Sequence, residues 1–236
     1  MNYPNDTGTG TGTAIRCNLA SVDDLLPDIK HWLPGCNVEI TMRKTLATVI
    51  QNFCRQTSVY QYTLDDITVV DKQQSYLLSV PLDADILTVD AVTQYGLDSD
   101  GDKHKHGHIL FPASYSITDD ILVNGVYLKL VNALASTETS QSVLVIEVSL
   151  IPSYDQMIGE NNCSIPNKLM SRWRQAFVSG AISSLASMTN ERWSNKGLAE
   201  NQRVIWQEFH DEAIDKAVVA KLKKGGGSVK SRTPWV

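Results

Sequence analysis

The sequence predicts an α+β fold: a helical bundle built from N- and C-terminal helices, with an antiparallel β-rich lobe inserted between them. Three observations carry this prediction. Apolar residues recur at helical spacing from about Asn37 to about Gln56. They do so again, in two long stretches, from Pro166 to about Lys224. Between these regions, residues 58–151 hold short runs of β-branched and aromatic residues separated by Asp, Gly, Asn and Pro. Packing both chain ends as a bundle, with the strands as a separate layer, is the economical arrangement of that order. The expected domains are a flexible arm (1–16), the bundle (17–57 with 163–224), the inserted acidic lobe (58–162) and a flexible tail (225–236).

The elements follow in order. Residues 1–16 include TGTGTGT and have no apolar period, which predicts a mobile arm. Ser21 ahead of Asp23 and Asp24 is a helix-start signal, with acids at the positive end of the dipole. Pro27 keeps that helix short or kinked, and Pro34-Gly35 breaks the chain. Ile40, Leu46, Val49, Ile50, Phe53 and Cys54 then form one face of the next helix. Strand runs follow at Ile67–Val70, Tyr76–Val80, Ile86–Tyr95, Ile109–Phe111, Val126–Val131 and Ser142–Leu150. Asn124-Gly125, between Ile121-Leu122-Val123 and Val126-Tyr127-Leu128, predicts a two-residue hairpin turn, because both positions tolerate positive φ. Residues 152–165 read as a loop, and Pro166 suits a first helical position. Leu169, Trp173, Phe177, Gly180, Ala181, Ser184 and Met188 mark one long helix, whose small residues Ala176, Gly180 and Ser184 allow close approach of another. After a turn at Trp193–Gly197, Leu198, Ile205, Trp206, Phe209, Ala213, Ala217 and Ala220 mark the second. It ends where Lys221, Lys223 and Lys224 complement the dipole and three glycines follow.

At 236 residues the chain buries roughly 70% of its unfolded surface, enough to fold without a disulfide or metal. No apolar run approaches the ~20 residues that cross a bilayer, and residues 1–17 lack the pattern of a signal peptide. Cytoplasmic synthesis and reduced thiols at Cys17, Cys36, Cys54 and Cys163 are the corresponding expectations. The net charge of −5 is unevenly spread: residues 58–162 carry −11, and residues 216–236 carry six basic residues and no acid.

Asp98-Ser99-Asp100-Gly101-Asp102 looks like a calcium loop, but Gly falls at position 4 and Ile109 stands where an EF-hand places Glu. A solvated hairpin tip is the plainer reading. His104, His106 and His108 would share one strand face about 6.6 Å apart, too far for consecutive pairs to hold one metal without a bent backbone. A polar loop that changes charge near pH ~6.5 is the plainer reading. G-x-S-x-G, P-loop and H-E-x-x-H motifs are absent, and Gly8-Thr9-Gly10 precedes any strand. The sequence therefore predicts a non-enzymatic protein without cofactor or native metal site.

Two segments resemble the head-to-tail adaptor (connector) proteins of short-tailed bacteriophages. One is Leu25-Leu26-Pro27 with Leu33-Pro34-Gly35-Cys36 and a helix closing on Phe53-Cys54. The other is Pro166 through Leu185, with Trp173 and Gly180-Ala181-Ile182, then Trp193, Leu198-Ala199 and the Trp206/Phe209 helix. The Asp/His-rich loop 98–108 has no counterpart in that pattern. The resemblance implies a structural virion protein forming a ring, a dodecamer in the family, beneath the portal. It would join portal to tail and extend the DNA channel, with DNA passing through without specific binding. Its partners would be the portal protein, a tail nozzle or other tail protein, and copies of itself, at the head–tail junction of a virion assembled in a bacterial host. No membrane is involved. The alternatives are another tail component, nozzle or baseplate-like, or a β-rich protein that binds a ligand or a metal at loop 98–108.

The tail supplies the candidate partner-binding residues. Gly225-Gly226-Gly227 is a joint with little directional preference. Beyond it, Val229, Pro234, Trp235 and Val236 are apolar anchors without a core of their own, and Lys230 and Arg232 would steer them toward acidic surface on the portal or a neighbouring subunit.

Overall fold

The computed structural model describes residues 19–81, 83–98, 100–103, 107–110, 114–120, 125–131, 134, 142–159 and 163–224. The predicted arm (1–16) and tail (225–236) lie outside the described residues. Among the described residues, 47% are helical and 28% lie in strands, so the protein is mixed α+β.

The bundle with one inserted lobe is not what forms. The chain divides into two compact units, Met1–Gln51 with Pro152–Phe209 and Asn52–Ile151 with His210–Val236. Both contain helices and strands, and the strands fall into three sheets. The physical reason lies in the long helices. Helix α2 (Glu39–Thr57) and the last helix, α5 (Lys196–Lys224), each contribute residues to both units, and each unit also holds strands. The helices are thus not gathered into one bundle apart from the strands.

The first unit begins with β1 (Leu19–Ser21), which pairs antiparallel with β10 (Cys163–Pro166). Ser21 then caps a 3-10 turn, Val22–Leu25. Its hydroxyl accepts from the Asp23 N–H at 3.1 Å, and the Asp24 carboxylate accepts from the Ser21 N–H at 3.2 Å. Helix α1 (Leu26–Trp32) follows, with Pro27 in its first turn, where a missing N–H costs nothing. Val22, Leu25, Ile29, Met42, Leu46 and Ile50 are fully buried, whereas Ile40, expected on the apolar face of α2, is half exposed. Helix α3 (Tyr154–Ile158) occupies part of the expected 152–165 loop. Pro166 is the last residue of β10 and the N-cap of α4 (Asn167–Ala186), not its first helical residue. Trp173, Phe177, Ala181 and Leu185 are the buried face of α4. Two arginines lock the start of the chain to the helices. Arg43 binds both Asp23 oxygens at 2.6 and 2.8 Å, and Arg174 donates to Asp28 at 3.0 Å and to the Asp24 carbonyl at 2.7 Å.

The second unit is built around β9 (Ser142–Pro152). Its Val143, Leu144, Ile146, Val148 and Leu150 are buried, as befits a strand flanked on both edges. On one edge sit β2 (Gln61–Thr63) and β3 (Ile67–Thr68); on the other sits β5 (Ala84–Gly96), followed by β6 (His108–Ile109). A separate sheet orders β4 (Ser75–Leu77), β8 (Gly125–Leu130) and β7 (Tyr115–Asp120). Its register pairs Asp120 with Gly125. Gly125 is thus a strand residue, and the other residues of the predicted Asn124-Gly125 turn and its arm 121–123 lie outside the described residues. Among the described residues, no helix is long and apolar enough to cross a membrane.

Candidate functional site

The residues that carry the sequence resemblance largely meet in the first unit. A Cβ at Gly180 would lie 2.7 Å from Trp206 Cδ1 and 2.7 Å from Val49 Cγ1, so three helices converge where only hydrogen fits. The Ser183 hydroxyl donates to the Ala199 carbonyl at 2.9 Å, a second tie between α4 and α5. The Pro34-Gly35 turn lies against the turn that joins those helices, with a Gly35 Cβ position 3.9 Å from Trp193 Cβ. Cys36 is buried there, and its thiol is pushed up by burial, opposed by a backbone hydrogen bond at Val38 and reinforced by the charge of Glu191. The Phe53-Cys54 pair belongs to the second unit, where Phe53 meets the His210 ring edge-on at 6.2 Å. Burial alone pushes the Cys54 thiol up to about 12.

Loop 98–108 is a hairpin end. Leu97 bridges Lys103, and Gln94 and Thr93 pair with His108 and Ile109. The Asp98 carboxylate accepts from the Asp100 N–H at 3.1 Å and the Asp102 N–H at 2.8 Å, while Gly101 takes φ +83. One oxygen of Asp98 thus organises its own turn, as Asp does at loop tips. Lys103 pairs with Asp66 at 2.7 Å and lies over the Tyr95 ring, 5.8 Å from its centroid. His108 is exposed; His104 and His106 lie outside the described residues. Among the described residues, no group of three or more His, Cys, Asp or Glu side chains could hold a metal ion.

A polar cluster that the sequence did not reveal sits on β5. Asp90, only 13% exposed, receives Lys221 Nζ at 2.7 Å, the Ser149 hydroxyl at 2.6 Å and the Thr88 hydroxyl at 3.2 Å. One signal was present: Asp90 is an acid inside the β-branched run Ile86–Tyr95. Nothing in the sequence tied it to Lys221.

The candidate partner-binding residues Val229, Lys230, Arg232, Pro234, Trp235 and Val236 all lie outside the described residues. No protein-family model and no curated protein matches the chain.

Proposed function

We propose that this chain is a structural protein of a bacteriophage virion, an adaptor whose copies form a ring between the capsid portal and the tail. The observation that carries the reading is the convergence in the first unit. Gly35 of the first resembling segment packs against Trp193 of the second, and Gly180 and Trp206, both of the second, pack together in the same compact unit. A resemblance due to chance composition would not require them to touch. Trp32, Val38 and Ile40, about half exposed in the same unit, are further support, because exposed tryptophan is a frequent anchor between subunits.

In this reading the work is done by interfaces. The tail residues Val229, Lys230, Arg232, Pro234, Trp235 and Val236 anchor each copy to the portal or to its neighbour. The acidic residues of 58–162 repel DNA phosphates, so DNA slides without sticking.

The test is purified chain mixed with the portal protein of the same virus and imaged by negative stain. Rings seated on portals are expected. Truncation after Lys224 should leave the melting temperature unchanged and abolish ring formation, and Trp235→Ala should reproduce most of that loss. A chain that never associates with portals rejects the reading. Rings that form normally from the truncated chain reject the tail as anchor.

A further inference from the structure

We propose that the final turns of α5, Ile214–Lys224, are a latch: they are held on the strands of the second unit by the Asp90–Lys221 ion pair and open without unfolding the rest of the chain. The side-chain inventory motivates this. Among the described residues, the buried side chains of this stretch are Ala213, at its edge, and Ala217. Each of these two contributes a single methyl group, and Ile214 and Ala220 are half-buried. Further along, Val218 and Val219 face outward at 50% and 38% exposure. A helix end whose apolar cover thins beyond Ile214 falls toward the low-stability end of local opening.

Polar contacts take over the docking. Gln61 on β2 donates to the Ala217 carbonyl at 3.4 Å, a long and weak contact. Lys221 reaches Asp90 at 2.7 Å, one turn further along. Asp90 is the better placed partner, because Ser149 on β9 and Thr88 on β5 already orient its carboxylate. The Asp90 side chain is largely covered while that of Lys221 is 39% exposed. Loss of the lysine therefore strands a covered charge, whereas loss of the carboxylate lets the ammonium reach water. The inference stands on this geometry and not on the adaptor reading.

Hydrogen exchange of the full chain, resolved by peptide, tests it. In the wild type, amides 214–224 should exchange through an opening with little denaturant dependence, while 198–209 and β9 stay protected up to the global transition. Asp90→Asn should speed exchange at 214–224 about tenfold, the loss of one charge-assisted contact, and Lys221→Met should speed it more, because it strands the covered carboxylate, with 198–209 and β9 unchanged. The double variant should add little to either single change. Exchange of 214–224 only with global unfolding in the wild type would overturn the latch. So would variants whose exchange rises uniformly along the chain or does not rise at all.

Discussion

Asp83 is a charge that its surroundings resist. Burial raises its carboxyl above the ordinary carboxylate range, and a hydrogen bond from its own backbone opposes this. The same environment lifts the Tyr60 phenol, first by burial and then through the charge of Asp83. With the folded pKa above the unfolded value of about 3.9, the folded chain binds the extra proton across that interval. The contribution of Asp83 to stability is therefore fully present below the unfolded pKa and is lost as pH rises through the folded one. Asp83→Asn should melt above the wild type at pH 7 and together with it at pH 3.5. An Asn variant that melts lower at pH 7 would mean that the ionised carboxylate has a partner worth more than its desolvation.

At the scale of elements, the contact among α2, α4 and α5 makes a prediction of unusual sign. Glycine inside a helix is normally a weakness, and Gly→Ala there gains about 1 kcal/mol. At Gly180 the added carbon would sit 2.7 Å from both Trp206 and Val49, inside any real contact distance. Gly180→Ala should therefore destabilise the chain by about 1–3 kcal/mol, read as a lower urea midpoint at unchanged slope. A raised midpoint would show that the three helices do not meet there. This contact was legible because small residues four apart on an apolar face have one common cause. Helix α2 and strands β5 and β9 were legible for a similar reason: each is long enough for its period to show. The pairing of β1 with β10 was not, since strands of three and four residues carry no period and are held by partners from the far end of the chain. The predicted arm 121–123 lies outside the described residues, while Gly125, read as a turn residue, pairs with Asp120 in the strand register. Lys221 was read as answering the helix dipole. Its partner lies 131 residues earlier, and no local pattern encodes that distance.

For the molecule as a whole, charge decides what it does beside DNA. Residues 58–162 carry −11, and the described part of that range exposes Asp65, Asp85, Asp98 and Asp100. The six basic residues of 216–236 are the counterweight, and among the described side chains Lys216 is committed to Glu212 and Lys221 to Asp90. An ammonium already facing a carboxylate releases little counterion from a phosphate backbone, and each phosphate contact contributes about 0.9 to the salt slope. The full chain should therefore leave the fluorescence anisotropy of a labelled duplex unchanged at physiological ionic strength. Replacing Asp65, Asp85, Asp98 and Asp100 together by Asn should create weak binding at low salt that disappears as salt is added, because the acids, not a lack of basic residues, set the balance. A saturable, salt-sensitive complex of the wild-type chain at physiological salt would contradict repulsion by the acidic residues. It would make residues 216–236 a nucleic-acid contact instead of a protein anchor, and Lys230→Ala with Arg232→Ala would then weaken that complex.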